Sequence, residues 1–151
     1  MIDPGMPTYT ERQHLPYAAE QLYDLVSDVE RYPEFLPWVA DARIRRRRDH
    51  TILVGMTLVA GPLRKSFSSI GVLDRPYCID ISSDDPIFDH FVQRWRFESL
   101  ASGGTDVEYH LDVKFRSRLM QMLIGATFAN RASATVAAFK RRADRLYGRR
   151  F

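Results

Sequence analysis

The chain of 151 residues contains one cysteine, Cys78. It can form no internal disulfide and no cysteine zinc site, and a reducing compartment suits it. Long hydrophobic runs are also missing. The longest near-apolar stretch, Ile52 to Leu63, is broken by Gly55, Thr57 and Gly61-Pro62, whereas a spanning helix needs about 20 apolar residues. The first residues, Met1-Ile2-Asp3-Pro4-Gly5, show neither the basic start and apolar run of a secretory signal nor an arginine-rich transit pattern. The expectation is a soluble, cytoplasmic protein. Catalytic signatures are absent too. His14, His50, His90 and His110 lack HExxH or similar ligand spacing, and no GxSxG elbow, P-loop or GxGxxG occurs. The chain is therefore read as a non-enzyme with no metal site, no catalytic residue and no cofactor. Without repeats, low-complexity stretches or a linker, it reads as one domain with a real core.

The composition, 45% hydrophobic and 27% charged, is that of an ordinary globular protein, and the net charge is +3. The basic residues are unevenly spread. Arg43, Arg45, Arg46, Arg47 and Arg48 form one cluster; Lys140, Arg141, Arg142, Arg145, Arg149 and Arg150 form another. Such clusters suit phosphates of RNA or of lipid head groups, and equally suit a solvated strand edge or helix face. No specific DNA site is expected.

The hydrophobic periodicity places the elements. Thr8 to His14 reads as a strand ended by Pro16, and Ala18 to Ser27 as a helix through Leu22, Leu25 and Val26. From Ala42 the period becomes two. Ile52 to Ala60 is apolar on both faces, between turns at Asp49-His50 and Gly61-Pro62. Phe67 to Asp74, Tyr77 to Ser82 and Phe91 to Glu98 follow as strands, and Ser102-Gly103-Gly104-Thr105 as a hairpin turn. In the clearest strand Val107, Tyr109, Leu111, Val113 and Phe115 face a core, while Asp106, Glu108, His110, Asp112 and Lys114 face water. A long helix then opens at Arg116 or Ser117, with one stripe from Met120 through Ile124, Phe128 and Phe139 to Leu146, and stops at Gly148. Residues 1–7 read as an extension, 8–148 as the domain and 149–151 as a tail.

Between the first helix and the sheet lies Tyr32-Pro33-Glu34-Phe35-Leu36-Pro37-Trp38. Two prolines exclude a regular helix or a central strand, yet the aromatics want burial. A stiff apolar segment of this kind caps a core or lines the mouth of a cavity.

Several segments then carry a resemblance. Leu15-Pro16-Tyr17-Ala18-Ala19-Glu20-Gln21-Leu22-Tyr23 leads into Val26-Ser27-Asp28-Val29 and the Tyr32 to Trp38 segment. Phe88-Asp89-His90-Phe91, Trp95-Arg96-Phe97, Val113 to Met120, Ala138 to Ala143 and Leu146-Tyr147-Gly148 follow in order. This series resembles the coenzyme Q-binding branch of the START-like, helix-grip proteins, within the polyketide cyclase/dehydrase superfamily, over nearly the whole chain. The resemblance implies an α+β fold: about seven curved antiparallel strands around a long C-terminal helix, with two short helices after the first strand. It implies a non-catalytic protein that binds ubiquinone or a related isoprenoid lipid in an apolar tunnel and supports respiratory electron transport. A bacterial branch with the same motifs is linked to ribosomal subunit association, which makes the ribosome the partner in an alternative, toxin-like reading through Arg45, Arg46, Arg47 and Arg48. The expected ligand-binding residues are Tyr32, Pro33, Phe35, Leu36, Pro37 and Trp38 at the mouth, Phe88, Phe91 and Trp95 on the strands, and Met120, Ile124 and Phe128 on the helix. Tyr32 is expected to donate to a quinone carbonyl. The basic C-terminal end could touch the inner-membrane surface transiently during loading. A cavity enzyme would need a buried acid or histidine beside these aromatics; Asp80, Glu98 and Asp112 instead fall on polar strand faces.

Overall fold

The computed structural model describes residues 8–125 and 128–148, with the side chains of 123–131 excepted. Seven strands form one antiparallel sheet: β1 (Thr8–Leu15), β2 (Val39–Arg48), β3 (Thr51–Ala60), β4 (Leu63–Asp74), β5 (Cys78–Ser82), β6 (Phe88–Ser99) and β7 (Thr105–Phe115). Their order is β1-β7-β6-β5-β4-β3-β2. Consecutive strands β2 to β7 pair as a meander. The first two strands in sequence are thus the two edges of the sheet.

Crossing from one edge to the other falls to α1 (Ala19–Ser27) and a 3-10 helix at Val29–Glu34. In α1 the Gln21 side chain accepts from Ala18 N at 3.0 Å, satisfying a donor at the helix start. Its apolar side buries Leu22, Tyr23, Leu25 and Val26. The 3-10 turn includes Pro33, so one turn of helix does enter the proline-aromatic segment, although no α-helix does. The i→i+3 pattern suits it, because few residues follow before Pro37 forces extension.

The sequence places three further strand starts differently. β2 starts at Val39 rather than Ala42, β4 at Leu63 rather than Phe67, and β6 at Phe88 rather than Phe91. Arg64, Lys65 and Ser66 are polar and exposed, which hides the strand, but they complete the β3–β4 hairpin, with Ala60 opposite Leu63. The C-terminal helix is assigned as α2 (Arg118–Gly125) and α3 (Phe128–Tyr147), either side of residues 126 and 127, which lie outside the described residues.

The concave face holds the core. Ile79, Trp95, Phe97, Val107 and Tyr109 from the sheet meet Leu22, Val26, Val136, Phe139 and Ala143 from the helices. At the far end Phe67, Phe88, Val113, Phe115 and Met120 form a second cluster. The convex face is wet on β5 to β7, where Arg96 reaches Asp80 at 2.8 Å and His90 reaches Asp112 at 3.2 Å. On β3 it is covered: the Arg45 side chain lies across Gly55, so close that a Cβ there would meet Nε at 2.3 Å. This cover explains why β3 reads as apolar on both faces.

Candidate functional site

Under α3 the sheet curves away and leaves a cavity of about 170 Å³. That is more than ten times the ~10–15 Å³ one water needs. Its floor is the inward face of β3 to β7: Ile52, Val54, Met56 and Leu58, then Ser69, Gly71 and Leu73, then Ile79 and Ile81, then Phe91 and Gln93, then Tyr109, Leu111 and Val113. Gly71 keeps this floor low, since a Cβ there would sit 3.1 Å from Ile52. The roof comes from Ala132, Thr135 and Phe139 of α3, and one wall from Val26, Val29, Tyr32, Leu36 and Trp38. No Asp, Glu, Lys, Arg or His lines it among the described residues. Among those residues no cluster of His, Cys, Asp and Glu could hold a metal ion either.

Of the residues expected at the site, Tyr32, Leu36, Trp38, Phe88 and Phe91 line this cavity. Five others do not. Pro33 and Pro37 are exposed, because in this irregular segment alternate residues turn outward while Tyr32 and Leu36 turn in. Phe35 points to the other side of α3, with its ring 5.2 Å from Phe139 and 5.1 Å below the Arg142 guanidinium. It lines a separate space of about 130 Å³ with Asp28, Arg31, Leu146 and Tyr147. Trp95 is buried core, 4.6 Å from Tyr109 and 5.0 Å from Phe139 ring to ring. Met120 is buried in the second cluster against Phe67, Phe88 and Phe115 rather than on the cavity wall. Ile124 and Phe128 lie outside the residues whose side chains are described.

Tyr32 lines the cavity, but its hydroxyl donates to the Val26 carbonyl. Its proton is therefore committed to holding the 3-10 turn on α1 and is not available to a ligand. Burial pushes its phenol well above the usual range, with the nearby Tyr109 adding to the shift.

Five polar residues of the wall lie outside the set expected from the sequence: Ser27, Ser69, Gln93, Tyr109 and Thr135. Gln93 and Tyr109 are diagonal neighbours on β6 and β7, since Gln93 pairs with Leu111 and Trp95 with Tyr109. Gln93 Nε2 lies 2.9 Å from the Tyr109 hydroxyl. Burial drives the Tyr109 phenol far up, against the lowering effect of the Gln93 bond, so it stays neutral. Ser69 on β4 is 5% exposed, and its hydroxyl has no protein partner among the described residues. The only sequence signal was one polar residue on an otherwise apolar inward face, Phe91-Gln93-Trp95-Phe97.

The arginine cluster sits on edge strand β2. Arg45, Arg46, Arg47 and Arg48 are exposed, and none forms an ion pair among the described residues. Arg43 is held by Asp41 at 3.4 Å. On α3, Lys140, Arg141 and Arg145 are exposed, whereas Arg142 is tucked in and reaches Glu34 at 3.0 Å. No helix among the described residues is long and apolar enough to cross a membrane.

Comparison with known proteins agrees with this architecture. Residues 15–140 match the family described as polyketide cyclase / dehydrase and lipid transport. The ribosome association toxin RatA of Pseudomonas aeruginosa is 31% identical over 144 residues, covering 95% of this chain and all of that one. The mitochondrial coenzyme Q-binding protein COQ10 homolog B of Xenopus laevis is 28% identical over 145 residues, covering 93% of this chain and 59% of the relative. The solution structure of the 18 kDa protein CC1736 from Caulobacter crescentus superposes with a TM-score of 0.75 at 28% identity, over 95% and 99% of the two chains. The chain belongs to the polyketide cyclase / dehydrase and lipid transport family and has its START-like, helix-grip fold.

Proposed function

We propose that this protein binds ubiquinone or a related isoprenoid lipid in the cavity under α3, as a non-catalytic carrier or chaperone serving respiratory electron transport. The observation that carries the reading is the cavity itself. It lies between sheet and helix, is apolar over most of its wall, and has no Asp, Glu, Lys, Arg or His among the described lining residues. The groups in the described wall that could move a proton are phenols and aliphatic hydroxyls, with no carboxylate, imidazole or ammonium group beside them to complete an acid–base pair. The name of the COQ10 relative points the same way.

The volume of about 170 Å³ suits a ring and the first part of a tail, not a whole polyisoprenoid chain. The rest of the tail would leave where the lining meets solvent. Trp38, just before β2, and Leu58 of β3 are half-buried there, and Val59 N donates to Trp38 O at 2.9 Å. The test is mass spectrometry of the organic extract from protein purified from a ubiquinone-making host. Near-stoichiometric quinone is expected, with none in a folded Ala132→Leu variant whose added side chain fills the cavity. A folded protein that carries no quinone and takes none up on exchange overturns the proposal.

A second reading rests on the four exposed arginines of β2, which have no ion-pair partner among the described residues, and on the RatA relatives: a regulator that binds ribosomal subunits. Each phosphate contact adds roughly 0.7–0.9 to the slope of log affinity against log salt. Four contacts thus give a slope near −3, lost when Arg45, Arg46, Arg47 and Arg48 are replaced by Gln. Unchanged subunit profiles at excess protein remove this reading.

A further inference from the structure

A wholly apolar cavity holds a greasy molecule in any orientation; a few polar groups fix one end of it. Most polar groups in this wall are already occupied. The Tyr32 hydroxyl serves the Val26 carbonyl, and the Ser27 hydroxyl lies 3.3 Å from the Asp24 carbonyl. Gln93 and Tyr109 differ: their side-chain polar groups bond only to each other, at 2.9 Å, and both line the cavity.

The hydrogen count of that pair is informative. A glutamine amide carries two N–H hydrogens and a phenol carries one. The shared bond, in which Gln93 Nε2–H donates to the Tyr109 oxygen, consumes one of the three. Two hydrogens therefore remain for a guest. The pair sits in a wall with no cation and no carboxylate among the described residues. An ionised carboxylate or phosphate placed there would lose its hydration without gaining a counter-charge. A neutral group with acceptor oxygens would lose far less and would meet both hydrogens.

We infer that Gln93 and Tyr109 form the head-group subsite of the cavity, recognising the carbonyl oxygens of a neutral ring and discriminating against acid- and phosphate-headed lipids. This inference rests on the reading of the cavity as a lipid site and adds which end of the lipid is held, by which atoms, and which lipids are refused. The ring then lies toward β6 and β7, and the tail leads away across Ile81 and Gly71 toward β3 and Trp38. Tyr109 is 1% exposed, and on β1 the Tyr9 ring, 6.4 Å away, and Glu11 face it and add to the upward shift that burial causes, so it stays protonated and affinity is expected to be level between pH 6 and about pH 9.

The test uses the purified full chain and a benzoquinone with a single isoprene unit, titrated by quenching of tryptophan fluorescence. A fatty acid of similar length is the acidic comparison. Tyr109→Phe keeps the ring that packs 4.6 Å from Trp95, and Gln93→Met keeps the length of a half-buried side chain. Each variant is expected to weaken quinone binding about 3–10-fold, the loss of one neutral hydrogen bond. Infrared spectra of the bound quinone should show a carbonyl stretch lowered in the parent protein and returned toward the free value in each variant. The fatty acid should bind at least tenfold more weakly than the quinone. If both variants bind quinone within twofold of the parent, with the same carbonyl stretch, the subsite assignment is wrong while the cavity reading stands. If the parent protein binds the fatty acid and not the quinone, both fall. Ala132→Leu separates the two levels, because it should abolish binding of either probe by filling the cavity.

Discussion

Raising the pH tests the burial of the two cavity tyrosines directly. Tyr32 and Tyr109 are 6% and 1% exposed, and burial raises both phenols far above their value of 10.0 in an open chain. A group whose acid strength is weakened by folding contributes stability that is intact below its unfolded pKa. That stability is lost as pH climbs above it, because the unfolded chain then releases a proton that the folded one keeps. The window therefore opens near pH 10. At pH 11 each buried tyrosine costs about 1.4 kcal/mol, so the pair costs about 3 kcal/mol. Tyr9, Tyr17, Tyr23 and Tyr147 shift in the same direction, and they add to the slope of the parent protein. Differences between variants isolate the two of interest. Urea unfolding is followed by far-UV circular dichroism at pH 8 and pH 11 for the parent, Tyr32→Phe and Tyr109→Phe. Each variant should lose about 1.4 kcal/mol less than the parent between the two pH values, whatever its stability at pH 8. A variant that loses as much as the parent refutes the neutral, buried phenol at that position. For Tyr109 it would also remove the proton donor from the proposed subsite.

Other perturbations have distinct expected outcomes. Ser69→Val removes a hydroxyl from the cavity wall and installs a side chain suited to a strand; Tm by calorimetry should not fall, while quinone binding weakens. Phe139→Ala removes the ring that packs on Tyr32 at 5.3 Å, Phe35 at 5.2 Å and Trp95 at 5.0 Å; unfolding should need about 3–5 kcal/mol less in urea titrations. Replacing Arg45, Arg46, Arg47 and Arg48 together with Gln should leave Tm within about 2 °C, since these side chains have no ion-pair partners among the described residues, and a filter-binding assay should show loss of salt-sensitive RNA retention if the ribosome reading holds.

The fold was legible wherever one face of an element is wet and the other dry. β7 is the plainest case: Asp106, Glu108, His110 and Asp112 alternate with Val107, Tyr109, Leu111 and Val113, and the structure buries or half-buries the second set while the first faces outward. The same alternation failed at the start of β4, where Arg64-Lys65-Ser66 extends a hairpin beyond the core and so carries no apolar signal. Direction within irregular backbone was not legible either. Tyr32, Phe35, Leu36 and Trp38 are all apolar, and nothing local says that Phe35 alone turns toward Arg142. That depends on the seat of α3, which distant residues determine.

The polar part of the site was hidden for a different reason. Hydrophobic patterning finds residues that avoid water, and a single Gln on an inward strand face only weakens that pattern. Gln93 acquires meaning through the β6–β7 register, which sets Tyr109 diagonally opposite, and through the bond between them. Sequence separation gives no hint of the pairing. The same logic applies to Ser69. Its hydroxyl lines the cavity, where it is a contact point rather than the wasted polar group it would be in a packed core. The observation that decides between these readings is the empty space in front of it, which exists only after seven strands and a helix have come together. The cavity wall therefore follows from the apolar pattern, whereas the chemistry that selects its guest follows from the few places where that pattern is broken.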